Sequence, residues 1–383
     1  MNNIQIVEDI ASDTFLKASE HWAINGIPTN PEAWLYTVAK NKAKDYLKHK
    51  AIFDLKVSDN IRNAVSEENI FTETDERTIS DSQLAMLFAV CDPVIATEGQ
   101  ISLALQVLCG FSVNEVAQAL LSNRETIKKR LFRAKDYLRK SNFEIKELSS
   151  LQITERLPTV LKSLYLLFNE GYYSKHQDQF VRKELCYEAI RLAVSLTENN
   201  LTNTAQVNAL IALMCYQSSR LDARTGDTGE IILFDNQDRN LWNQDMIDKG
   251  NHYIILATDR RQTSKYHIEA AIAYWHTTSE QQSKWSPILQ LYNQLILIEY
   301  SPITALNRAF AYAKVYGIKE GINETEKLKL EYNAHYFGLL GYLYTDLDPE
   351  QAKRNYQKAI SLSPSAPERQ LFKKRMREIQ GTG

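Results

Sequence analysis

The chain has 383 residues, 44% hydrophobic and 24% charged, with a formal net charge of −2. It is long enough for two or three domains with proper cores, and with 13 Gly and 9 Pro a turn-rich all-β architecture is excluded in favour of an all-α protein. No apolar run approaches the roughly 18 residues that a membrane span needs, and the start MNNIQIVEDIASD lacks a signal peptide's apolar core, so a cytoplasmic chain without membrane contact is expected.

Residues 6–22 read as an amphipathic helix with Ile6, Ile10, Phe15 and Trp22 inward and Glu8, Asp9, Asp13 and Glu20 outward. Gly26, Pro28 and Pro31 then forbid a continuous helix. The next helix, PEAWLYTVAKNKAKDYLKHK, has an apolar face of Trp34, Leu35, Val38, Ala39 and Leu47. Lys40, Lys42, Lys44, Lys48 and Lys50 form its positive face. Residues 54–80 hold seven acids against three bases and read as a polar linker. Two further helices, DSQLAMLFAVCDP and ATEGQISLALQVLCG, are closed by Pro93 and Gly110.

From Ser112 to Lys140 the chain reads as two short helices joined by a tight turn. Ser112–Glu115 and Ser122–Glu125 each have the spacing of a capping box. Ile127, Leu131, Ala134 and Leu138 share one face of the second helix. Arg124, Lys128, Lys129, Arg130, Arg133, Lys135, Arg139 and Lys140 occupy the others, giving this stretch net +5 in a chain of net −2. A short capped helix, a turn and a longer basic helix make a helix-turn-helix, whose second helix enters the DNA major groove. The same composition also describes a solvated basic helix, and the turn has Leu121 where Gly is customary.

These residues resemble a bacterial sigma factor of the extracytoplasmic-function type. VEDIASDTFLKA is similar to the family's region 2.2, NPEAWLYTVAKNKAKDYLKHK to regions 2.3–2.4, and LALQVLCGFSVNEVAQALLSNRETIKKRLFRAKDYLRK to region 4. The resemblance implies a domain 2 that docks on the β′ clamp helices of RNA polymerase core and melts and reads the −10 element. It also implies a domain 4 that reads the −35 element near the β flap. The family has region 2.1 ahead of this stretch, so domain 2 is expected to be partial, through a misassigned or truncated start. The expected layout is 1–53 partial region 2, 54–80 acidic linker, 81–145 region 4, and 153–383 a helical C-terminal domain.

On this reading Arg124, Glu125, Thr126, Lys128 and Lys129 stand at the base-reading end of the recognition helix. Arg130, Arg133 and Lys135 hold phosphates, as do Lys40, Lys44 and Lys48 of the earlier basic helix. Asp9 and Asp13, four apart on one face, suit basic residues of the clamp helices.

The larger half begins near Leu151 with ERLPTVLKSLYLLFNEGYYS, apolar around most of its circumference and therefore requiring burial. Helices continue to Arg377, interrupted at RTGDTGEIILFDNQDRNLW, where EIILF reads as a short strand or extended edge. Phe337, Leu340, Gly341 and Tyr344, then Ala352, Tyr356, Ala359 and Pro364, match the two helices of a tetratricopeptide repeat. LYLLFNEGY, LCYEAIRLA, SSRLDAR, DNQDRNLWNQDMI, HIEAAIA and ALNRAFA resemble the tetratricopeptide-like extension of one sigma-factor subgroup.

No nucleotide-binding, metalloprotease or nucleophile-elbow motif occurs. The four cysteines are scattered, without metal-ligand spacing, and read as reduced core thiols. No enzyme activity, metal or cofactor is expected. Polar clusters at Asn169-Glu170, Arg220-Asp222 and Gln237-Asp238-Arg239 either pair internally to fix loops or form a site for a regulatory protein or ligand. Two functions follow. One is a transcription initiation factor acting on polymerase core and promoter DNA, with a modulating C-terminal half. The other is a non-initiating interaction scaffold whose repeat half binds a protein or small ligand.

Overall fold

The computed structural model describes residues 4–28, 31, 34–35, 37–43, 46, 81–141, 143, 148–173, 181–226, 230–258, 263–278 and 282–380. The fold is all-α, as the sequence predicts. Helix α1 (Ile4–Asn25) buries Thr14 and Ala18, with Ile10 and Trp22 half-buried on the same i, i+4 stripe. Phe15, assigned to the inner face from the sequence, is 65% exposed. The stripe passes through Thr14 instead, whose hydroxyl donates to the Ile10 carbonyl at 2.7 Å and so goes inward with its hydrogen bond made. Helix α2, helical at its described positions between 31 and 46, meets α1 through Trp34 on Trp22, with ring centroids 5.5 Å apart, and through Lys42 on Asp13 at 2.9 Å.

Four helices follow: α3 (Ser82–Val90), α4 (Thr97–Cys109), α5 (Val113–Ala119) and α6 (Arg124–Lys140). Asp81 caps α3 by accepting from the Gln83 and Leu84 amides. Gly110 closes α4 at φ +63°, a left-handed position that favours glycine. Helix α7 (Ser150–Tyr172) starts ahead of its apolar run because Ser149 and Gln152 form a reciprocal capping box. It runs through Pro158, which lies with Thr154 on the solvent side, so the carbonyl that proline leaves unbonded is open to solvent.

The rest is helical by pairs: α8 (Lys183–Ser195), α9 (Ala205–Ser218), α10 (Gln244–Leu256), α11 (Lys265–Thr278), α12 (Trp285–Ile298), α13 (Pro302–Tyr316), α14 (Ile318–Glu326), α15 (Ala334–Tyr344), α16 (Pro349–Leu362) and α17 (Ala366–Gln380). Successive helices from α11 onward pack on one another. Small residues permit the approach. A Cβ on Gly341 would come within 2.9 Å of the Tyr356 ring, and Ala352 and Ala359 are fully buried. The segment expected as a short strand or extended edge forms a single antiparallel bridge, Thr225 to Ile231, with Ile232 N–H donating to the Arg224 carbonyl at 2.9 Å.

One apolar core runs without interruption from Leu84 to Tyr266. Helices α3, α4 and α5 all pack against α7, and Leu84, Leu87 and Phe88 are buried in this seam together with Ile153, Val160, Leu161 and Leu164. Cys91, Cys186 and Cys215 are buried thiols in the same core, and burial pushes each up to about 12, which keeps them protonated. The seam also carries charge. Arg156, only 7% exposed, donates from Nη1 to the Phe88 carbonyl at 2.9 Å and from Nη2 to Asp92 at 3.0 Å. Arg182 reaches Glu115 at 3.1 Å, and Arg191 reaches Asp81 at 2.7 Å. Helix α7 is tied to the far side as well, where Tyr165 OH donates to Glu269 Oε1 at 3.2 Å.

Two outcomes follow from this packing. Arg156→Met strips a buried guanidinium from Asp92 and the C-terminal carbonyls of α3, and should cost about 3 kcal/mol. Because the core is continuous, hydrogen exchange should accelerate together in α4 and α9, while slowing or speeding in one alone would show separate units. Burial pushes Glu269 up to about 7 from 4.5, against the opposing pull of Lys265. The folded state therefore binds more protons than the unfolded chain between those values. Its contribution to stability is whole below pH 4.5, falls as pH rises towards about 7, and stays lost above. Glu269→Gln should flatten the dependence of melting temperature on pH across that window.

Candidate functional site

The α5–α6 unit is built by local hydrogen bonding. Ser112 accepts from the Glu115 amide at 3.3 Å and Glu115 Oε2 accepts from the Ser112 amide at 2.7 Å, the capping box read from the sequence. The second expected box does not form. Helix α6 starts one residue later than that spacing implies, with Asn123 as its cap and its Oδ1 accepting from the Thr126 amide at 2.8 Å. Glu125 instead accepts from Lys128 at 2.9 Å, and that ammonium holds its carboxyl below the ordinary value.

The turn explains the shift. The Ser122 amide donates to the Ala117 carbonyl at 2.8 Å and the Leu121 amide to Gln118 at 3.1 Å, the paired bonds of a Schellman motif. That motif needs a left-handed residue after the helix end, and Leu121 supplies it at φ +48° with 85% of its surface exposed. Leu121 thus occupies the place of the customary glycine at a conformational cost. Ser122 is consumed in closing α5 and leaves capping of α6 to Asn123.

Ile127, Leu131, Ala134 and Leu138 are buried, as their spacing predicts. Arg124, Glu125, Lys128, Lys129 and Arg133 are exposed, and Thr126, Arg130 and Lys135 half-buried. Arg124, Lys129 and Arg133 make no ion pair among the described residues. The helix therefore offers solvent a cationic face whose N-terminal turn carries Arg124, Glu125, Lys128 and Lys129 together. Lys40 is exposed on α2, whereas Lys44 and Lys48 lie outside the described residues. Asp9 and Asp13 are both exposed on α1, and Asp13 is engaged by Lys42.

Among the C-terminal polar residues, Arg220, Arg224 and Arg239 lie on aromatic rings. Asn169 and Glu170 end α7 just before Tyr172 and Tyr173. Arg224 stacks over these two rings at 3.6 and 4.5 Å, and Arg220 Nη2 donates to Tyr172 OH at 2.9 Å. Arg220 also faces Phe234 at 4.9 Å, and Arg239 covers Trp242 at 4.9 Å. Gln237 Nε2 donates to the Ile232 carbonyl at 3.2 Å, and Asp238 accepts from the Asn240 amide at 2.9 Å. Asp222 points elsewhere, to Lys183. The charged positions were legible in the sequence. Their ring partners Tyr172, Tyr173, Phe234 and Trp242 were missed, although Phe234 and Trp242 flank Gln237-Asp238-Arg239 on either side.

Residues 1–51 match the sigma-70 region 2 family, and residues 156–258 match a family of unknown function, DUF6596. The first match puts a sigma-factor domain at the N terminus, on α1 and α2, and supports a sigma-factor-like role in promoter recognition. An uncharacterized protein of Rhizobium meliloti (strain 1021) is 30% identical over 382 residues, covering 96% of this chain and 88% of that protein. The chain belongs to the same family as that protein. No solved structure matches this chain. No helix among the described residues is long and apolar enough to cross a membrane.

The turn makes its own test. Leu121→Gly should raise stability by about 0.5–1 kcal/mol, the left-handed penalty less the greater unfolded-state freedom of glycine. Asn123→Ala should lower it by about 1 kcal/mol and Ser122→Ala by under about 0.5 kcal/mol in thermal or urea unfolding.

Proposed function

We propose that the protein is a sigma factor of the extracytoplasmic-function type that directs RNA polymerase core to promoters through the −10 and −35 elements. One observation carries the reading. A sigma-70 region 2 match at the N terminus is followed, in the order that function needs, by two capped helices of which the second turns an exposed cationic face to solvent. Region 2 occupies 1–53, the acidic linker 54–80, region 4 81–145, and a tetratricopeptide-like helical extension 153–383. Asp9 and Asp13 dock on the β′ clamp helices, and Lys40, Lys44 and Lys48 hold phosphates near the melted −10 element. Arg124, Glu125, Thr126, Lys128 and Lys129 face base edges, while Arg130, Arg133 and Lys135 anchor the backbone.

The C-terminal half modulates this by holding region 4. The shared core and the arginine contacts to Asp81, Asp92 and Glu115 support that role. Orientation of α6 is then set by α7, so the promoter spacing that the protein spans depends on residues far from DNA.

The test is transcription reconstituted with core polymerase and the full chain, over a set of −35 variants and salt concentrations. Arg124→Ala should cost about 1–3 kcal/mol on the preferred sequence and relax preference at one position. Arg133→Ala should weaken all sequences alike and lower the salt slope by about one. Identical behaviour of the two variants, or no transcription with the parent protein on any promoter, would count against the assignment.

A further inference from the structure

A solvent-open cavity of about 330 Å³ lies beside the α5–α6 unit, where the two halves of the chain meet. Its walls are the first turns of α4, the Leu120–Ser122 turn between α5 and α6, Arg130 of α6 and Lys162 of α7. The volume is at the small end of those that hold ligands. Packing brings these elements together, since α4 lies against both α6 and α7, and α5 also touches α7. Lys162 belongs to residues 156–258, the part of the chain that matches DUF6596, and not to the two helices of the cationic unit.

Neither cation of the cavity has a counter-charge. Arg130 and Lys162 make no ion pair and no side-chain hydrogen bond among the described residues. Glu98 also lines the cavity but pairs with neither, so two cations stand against one acid. Lys162 is the last exposed residue of α7: from Ser163 to Tyr172 every residue is buried or half-buried. A helix that turns inward along the rest of its length thus keeps one ammonium in water, and that ammonium borders the cavity. On the α6 side, Arg130 is half-buried and Arg133, one turn on, is exposed. Residues three apart are neighbours on a helix surface, so the cationic face of α6 continues through Arg130 into the cavity.

We propose that Arg130 and Lys162 together hold a DNA backbone phosphate at this cavity, so that the C-terminal half supplies its own contact to the promoter. The inference rests on the reading of α6 as the DNA-facing helix and extends that reading to α7. A duplex fits better than a free anion because the cavity is continuous with the cationic face. A helix in the major groove is bordered by the phosphates of both strands, and residues on its flank meet them. Lysine acts there as a point charge, which suits an exposed side chain brought in from a second element. Glu98 works against the contact and limits its strength. Displacement of α7 from α4 would separate Lys162 from Arg130, so the C-terminal half acts on DNA binding through charge as well as through orientation.

The experiment measures binding of the full chain to mixed-sequence DNA duplexes by fluorescence anisotropy over a series of salt concentrations, which reads phosphate contacts without knowledge of the promoter. Lys162→Gln should weaken binding about fivefold at low salt, on duplexes of different sequence alike, and lower the salt slope by about one. Lys162→Arg keeps the charge and should restore both, and Glu98→Gln should tighten binding. Lys162 is exposed, so its variants should leave thermal unfolding unchanged, which separates a phosphate contact from a packing role. Lys373→Gln, exposed on α17, controls for net charge and should leave the slope as it is. If Lys162→Gln keeps the parent's slope while Arg133→Ala lowers it, this proposal is overturned and the promoter reading stands. No duplex binding by the parent at low salt overturns both. Inorganic phosphate is the second probe, titrated by calorimetry at constant ionic strength. Saturation that Lys162→Gln removes, with duplex binding unmoved, would assign the cavity to a free anion and likewise overturn the proposal.

Discussion

A single buried guanidinium governs how the two halves of this chain relate. Arg156 sits one turn into the apolar part of α7 and spends its hydrogen bonds on the end of α3 and on Asp92. A cation at that depth is tolerated only where its partners are fixed, so its placement demands that α3 end where it does. Around it, Arg182, just ahead of α8, and Arg191, within α8, capture Glu115 and Asp81. Both acids already cap helices, α5 and α3 respectively. The carboxylates that start the N-terminal helices are the same ones that bind them to the C-terminal half.

This double use couples local and global order. Loss of the contact from Arg182 removes a counter-charge from the capping box of α5 without touching its hydrogen bonds to Ser112, because different oxygens of Glu115 serve the two partners. Asp81 behaves similarly: against the upward push of burial, Arg191 and two helix amides hold its carboxyl below the ordinary value. These partly exposed pairs are individually worth little. Their effect is to fix register, while burial of Leu84, Leu87, Phe88 and the α7 residues opposite supplies most of the stabilisation. The arrangement makes α6 a rigid projection from the joint core, since its own buried residues belong to that same cluster.

Much of this was legible from residue spacing. Ile127, Leu131, Ala134 and Leu138 were read as one buried face and are one. The apolar circumference of α7 required partners and found them in α8 and α9 on the one hand and in α3, α4 and α5 on the other. Gly110 ended its helix as expected. The errors have local causes. Ser122 and Glu125 have capping-box spacing, but Ser122 lies in the Schellman closure of α5, so that closure displaced the box. Phe15 looked like a core residue by type, yet the i, i+4 stripe from Ile10 passes through Thr14, which a backbone acceptor makes compatible with burial. EIILF has strand propensity but no neighbouring strand among the described residues, and propensity without a partner yields one bridge.

The largest illegible part was the polar chemistry of the C-terminal half, and the reason is physical. From sequence, a buried Arg calls for an acid, and at the α7 seam acids are indeed what the arginines meet. At the end of α9 the same residue type meets rings: Arg224 lies over Tyr172 and Tyr173, and Arg220 over Phe234 and Trp242. The two solutions differ in what they leave behind. An ion pair cancels charge and orients both partners, whereas a ring attracts a cation through its quadrupole and orients it by stacking. At the α7 seam the arginines thus hold the two halves of the chain together. At the end of α9, stacking on rings instead orients Arg220 and Arg224 and ties this point both to the end of α7 and to the 231–243 connection.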